Sequence, residues 1–330
     1  MRTSWCSPAP GPVHPATAPP PAHGTNDPDP PGPAPLPLAP AAYDDGRDPS
    51  RHRRGRDDTW GEPMSTTVNP ERAGRAAPSR PPRPGPLVPD QHGAWAFLAL
   101  PVSLAAPVLS WHPALVPVVL AWVAAYPAAW ALTGRLTAPR PHRFDRALRL
   151  WLPLAGVAAA ASVAWRPWLV WVGVLYGLGY AVSLTYARAR RERALGNDLV
   201  LVAQCALMVP VLVGVGARGG WVPPWPTFDG TLALLTAVCA LALVGSTLHV
   251  KSLIRERRRP GFARASRWFS LACLAAATGL AVTGTPWPLM PATLAALRTH
   301  LLSDPSLRPG RIGMVELGVL VVLAGCAWWV

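Results

Sequence analysis

The chain has 330 residues, half of them hydrophobic, with a mean hydropathy of +0.21 and a formal net charge of +14. All of that excess charge lies beyond residue 90, where 21 basic residues face 7 acidic ones within almost continuous apolar sequence. Such a chain is a membrane protein, with the lipid bilayer as its first partner and no nucleic-acid partner expected.

Residues 1–86 read as a disordered Pro/Ala-rich arm. Of the 42 prolines, 23 fall in residues 1–90, where ten arginines balance ten acidic residues and no long apolar run occurs. That composition buries too little apolar surface to offset chain entropy. It also lacks the basic flank and short apolar core of a signal peptide. Met64 opens the stretch MSTTVNPERAGRAAPSRPPRPG, an ordinary polar leader, so residues 1–63 are equally well read as upstream sequence.

Residues 87–330 read as a transmembrane helical domain. Apolar runs of about 17 to 21 residues cross a hydrocarbon layer of ~30 Å. Nine such spans are expected, at 94–110, 113–133, 150–165, 168–187, 199–217, 230–250, 268–284, 287–302 and 314–330. The fold class is therefore all-α, a polytopic membrane helix bundle. Connections 134–149, 188–198 and 251–267 are rich in arginine, while those between them carry only Arg166 and Arg218. Cations mark the cytoplasmic side, which puts the N-terminus inside and the C-terminus outside. Trp111, Trp165, Trp168, Trp221, Trp225, Trp287, Trp328 and Trp329 fall at the expected outer ends, in the manner of an aromatic belt. Cys6, Cys205, Cys239, Cys273 and Cys326 show no metal-ligand spacing.

Polar residues gather at the inner ends of the spans. Gln91 and His92 enter the first, Asn197 and Asp198 the fifth, and Glu316 the ninth, while His249 and Lys251 leave the sixth. Asn197 or Asp198 could instead cap the fifth helix. Lys251 is the only lysine beside thirty arginines. Its ammonium is a compact point charge, a poor substitute for the planar arginine fork and the reverse. Ionisable residues bordering a span are costly and face the bundle interior, which makes them functional candidates.

If the sixth helix runs on to Arg259, where Pro260 and Gly261 would stop it, its end presents separate faces. His249, Ser252 and Glu256 share one, and Lys251, Arg255 and Arg258 another. A His/Ser/Glu face beside a Lys/Arg face suits an anion held by cations next to a proton-transferring group. The candidate binding set is Gln91, His92, Asn197, Asp198, Lys251 and Arg255, with His249 and Glu256 as candidates for moving a proton. Arg257, Arg258 and Arg259 read as a positive-inside anchor for anionic lipid.

The segments QHGAWA (91–96), RERALGNDL (191–199) and HVKSLIRER (249–257) resemble the YwiC-like family of bacterial integral membrane proteins. That resemblance implies membership over residues 87–330 and no particular activity. The nine-span layout also resembles UbiA-type intramembrane prenyltransferases, which use aspartate-rich connections after the second and sixth helices to hold magnesium and a prenyl diphosphate. Here those connections offer Asp145 and Glu256 alone. The departure speaks against magnesium, and no other cofactor is indicated.

The expectation is a cytoplasmic-facing pocket for an anionic amphiphile, of phospholipid or prenyl-diphosphate type. The alternatives are a small-solute transporter, for which Gln204 is the deepest polar residue, and a non-catalytic membrane subunit.

Overall fold

The computed structural model describes residues 85–89, 92–216, 220–224, 229–303 and 308–330, with His92 described by its backbone alone. Nearly all of the expected arm, Met64, Gln91, the His92 side chain, Arg218 and Trp225 lie outside the described residues.

Among the described residues there are nine α-helices and no strand. They are α1 (His92–Ala105), α2 (Leu115–Thr137), α3 (Asp145–Trp165), α4 (Leu169–Arg188), α5 (Leu195–Gly216), α6 (Gly230–Ile254), α7 (Pro260–Val282), α8 (Leu289–Leu301) and α9 (Pro309–Cys326). Seven of them, α2 to α7 and α9, are long and apolar enough to cross a membrane, so the chain is a multi-pass membrane protein. Helices α1 and α8 have 14 and 13 residues. At 1.5 Å per residue they reach only ~20 Å, short of a full crossing by themselves.

Local chemistry sets several boundaries. The Asp229 carboxylate accepts from the Leu232 backbone N–H at 2.8 Å and so caps α6. Proline stands at the first helical position of both α7 and α9, where its missing N–H has no intrahelical partner to lose. This corrects one expectation about α6. Pro260 does not stop a helix continuing to Arg259; it starts α7, and α6 ends at Ile254 with Arg255 as its C-cap. The residue before a proline is pushed toward extended geometry, and Arg259 has ψ 98°. Residues 255–259 are therefore a tight connection and not two further turns of α6.

Helices α5 and α6 form the centre. The fully buried side chains Val209, Leu212, Leu235, Cys239 and Leu243 lie on them, met by Leu104 of α1 and Leu320 and Leu323 of α9. Val157, Trp171 and Leu178 on α3 and α4 face outward and are exposed, as lipid-facing side chains of a membrane helix are. In lipid, helix association depends on close van der Waals packing more than on removing apolar surface from water.

Trp111, Trp165, Trp221, Trp328 and Trp329 are exposed, as interfacial rings should be, but Trp168 and Trp287 are not. Both belong to the core. The Trp168 ring packs where a Cβ on Gly214 would lie 3.3 Å from it, and its backbone N–H donates to the Gly220 carbonyl.

The ends of the bundle differ. At one, Arg166 Nε donates to the Val215 carbonyl at 2.8 Å, and Gly216 abuts Ser110. At the other, Arg135 pairs with Asp145 at 2.8 Å and Trp151 Nε1 donates to the Leu87 carbonyl.

Candidate functional site

His249 and Lys251 stand two residues apart on α6, roughly 200° around the helix, and so face nearly opposite neighbours. Lys251 turns to α5. Its Nζ lies 2.7 Å from Asp198 Oδ2 and donates to the Arg193 carbonyl, with the residue 4% exposed. Asn197 sits beside this cluster, its Nδ2 donating to the Glu192 carbonyl at 2.7 Å. Because α5 begins at Leu195, Asn197 and Asp198 lie inside its first turn and not ahead of it as caps.

His249 turns to α9. Its Nε2 stands 3.8 Å from Glu316 Oε1, while Arg298 Nη1 of α8 donates to Glu316 Oε2. All three residues are buried. Ser246, almost one turn earlier on α6, stands beside the same carboxylate. The Arg298–Glu316 pair balances its own charge, yet Arg298 Nε is buried with no hydrogen-bond partner. The sequence reading gave Arg298 no role. An arginine near the end of an otherwise apolar run was the available signal; its partner, 18 residues away on another helix, was not.

Two cavities adjoin this triad. An apolar chamber of about 130 Å³ lies between α6, α7, α8 and α9, with Val238, Leu241, Phe269, Ala277, Ala292 and Leu320 in its walls. Ser266, Ser270, Arg298 and Thr299 also border it. A second, polar cavity of about 80 Å³ is bordered by His249, Ser252, Arg257, Arg267 and Ser303, and again by Ser266 and Thr299. Ser266 and Thr299 thus form the junction. Thr299 donates to the Ala295 carbonyl, whereas the hydroxyl of Ser266, a buried residue, has no hydrogen bond among the described residues.

The remaining predicted site residues lie elsewhere. Arg255 is exposed at the α6 C-cap, and Glu256 pairs with Arg259 at 3.3 Å within the connection. Gln204 is taken up between helices: its Nε2 donates to the Tyr176 carbonyl, and its own carbonyl accepts from the Tyr176 hydroxyl. Among the described residues, no three His, Cys, Asp or Glu side chains group in a way that could hold a metal ion.

The family model for YwiC-like protein matches residues 88–213, a stretch that includes Asn197 and Asp198 but stops before both cavities. Over 187 residues the chain is also 33% identical to the Bacillus subtilis protein described as "Uncharacterized protein YwiC", which covers 54% of this chain and 71% of that one. The chain belongs to the YwiC-like family. A second relative of this YwiC-like chain, an uncharacterized protein of Haemophilus influenzae, is 32% identical over 93 residues, or 28% of this chain and 36% of its own length. No solved structure matches the chain.

Proposed function

We propose that this YwiC-like protein binds an anionic amphiphile between α6, α7, α8 and α9, its hydrocarbon chain in the apolar chamber and its head group at the polar cavity. One observation carries the reading. Where the two cavities meet, the Ser266 hydroxyl has no hydrogen bond among the described residues, and beside the apolar chamber Arg298 Nε is buried without a partner. A buried donor left unmade costs about 1–3 kcal/mol, which a ligand bringing acceptor oxygens recovers.

Positive-inside charge bias puts this polar end at the cytoplasmic face, with the N-terminus inside and the C-terminus outside. Of the residues first singled out, His249 borders the head-group cavity, and the Lys251 cluster braces the neighbouring side of α6. His249, backed by Glu316, is the group placed to exchange a proton with a head group. Magnesium has little to hold it in a UbiA-type manner. Asp145 is engaged by Arg135 and Glu256 by Arg259, so side chains would neutralise the anion directly.

The test is lipid analysis of purified wild type against Ala292→Phe, whose ring would occupy the chamber. An amphiphile retained by wild type and lost from a well-folded variant supports the reading. Identical lipid content sinks it.

A further inference from the structure

The polar cavity also carries information about which head group it accepts, and this step rests on the amphiphile reading above. Among the described residues, no carboxylate borders the cavity. Glu316 stands behind His249 with one oxygen on Arg298, and Glu256 is paired with Arg259. The ammonium of a zwitterionic head group would find no anion among those residues, and burying it unpaired is expensive.

An anion finds the reverse. Arg257 and Arg267 stand at the rim with their charges unmatched by any ion pair among the described residues, whereas Arg298 is already balanced by Glu316. Two uncompensated cations suit a guest of about two negative charges. Deeper in, the Ser266 hydroxyl has no hydrogen bond among the described residues and is placed to donate to an acceptor oxygen of the guest.

Size narrows the choice. A cavity of about 80 Å³ admits several water-sized groups. That room suits a phosphate. A phosphate monoester carries about −1.5 to −2 charges near pH 7 and three strong acceptor oxygens. A phosphodiester or a carboxylate carries one charge.

We propose that the ligand is a lipid phosphate monoester, seated with a phosphoryl oxygen toward Ser266 and its charge facing Arg257 and Arg267. The full chain, purified in detergent, is titrated by native mass spectrometry with four lipids of matched chain length. These are phosphatidic acid (a monoester), phosphatidylglycerol (a diester), a fatty acid and phosphatidylcholine. Inorganic phosphate is a separate arm.

Phosphatidic acid should bind about tenfold more tightly than phosphatidylglycerol, the equivalent of one charge-assisted contact. The exposed double substitution Arg257→Ala/Arg267→Ala should erase that preference without disturbing the fold, and Ala292→Phe should weaken every lipid. Equal binding of the monoester and the diester, or a preference that survives the double substitution, overturns the monoester assignment while leaving an amphiphile site. No lipid held above phosphatidylcholine overturns both readings. Inorganic phosphate bound as tightly as phosphatidic acid, with Ala292→Phe lacking effect, assigns the cavity to free phosphate and overturns the lipid.

Discussion

Lys251 Nζ lies 2.7 Å from Asp198 Oδ2, joining the last turn of α6 to the first turn of α5. The same ammonium donates to the Arg193 carbonyl just before α5. A point charge on a slim stem reaches both acceptors in a space that is almost closed. The planar guanidinium of arginine carries more atoms in a fixed fork and does not fit the same role. The single lysine of the chain is thus a brace between two central helices.

Lys251→Met should lower stability by about 1–3 kcal/mol, since Asp198 loses its partner but keeps some contact with solvent. Lys251→Arg should recover less than half of the loss. A double-mutant cycle with Asp198→Asn, read as thermal unfolding in detergent, should show a coupling of about 1 kcal/mol. Additive effects would mean that the pair contributes nothing.

Glu316→Ala should be among the more damaging single changes, at about 3 kcal/mol or more, because it leaves the Arg298 guanidinium buried and unpaired. Arg298→Met/Glu316→Leu should restore much of that stability while abolishing amphiphile retention. Unfolding curves and lipid content measured on one preparation separate the two roles.

Gly134→Ala tests the packing of α2 on the turn before α3. A Cβ there would lie 2.5 Å from the Phe144 ring, which stacks edge-on against Trp130 at 5.2 Å. Overpacking of this kind costs about 1–3 kcal/mol. A Phe144→Leu partner substitution should relieve part of it in the same thermal assay.

Cysteines placed at Arg258 and at Trp221 report the orientation of the bundle. With the arginine-rich end inside, a membrane-impermeant thiol reagent applied to intact cells should label the cysteine at 221 and leave the one at 258 unlabelled until the cells are opened. The reverse pattern inverts the topology.

Much of the fold was legible because apolar run length is a direct physical requirement of crossing hydrocarbon. The opposite placement of His249 and Lys251 also follows from helical geometry, since two residues of separation set them on different faces. The end of α6 was not legible in this way. A proline after an arginine run reads equally as a stop or as a first helical residue, and taking Pro260 as a stop carried Arg255, Glu256 and Arg258 onto helical faces they do not occupy. The cavities were hidden for a different reason. Ser266, Arg298 and Glu316 come from α7, α8 and α9, and nothing in their local sequence encodes which of them meet. Trp168 and Trp287 show the same limit: their positions near span ends suit an interface, and only packing decides that they turn inward.

Helix α6 is clamped electrostatically toward α5 by Lys251, while the Arg298–Glu316 pair fastens α8 to α9. Among the described residues no ion pair fastens α7 to a neighbour, and its few buried residues, Ser266, Ser270 and Ala277, are small. The α7 side is thus the wall of the chamber with no ionic clamp; if the chamber takes a guest from the leaflet, an entrance there would never require its chain to pass through water.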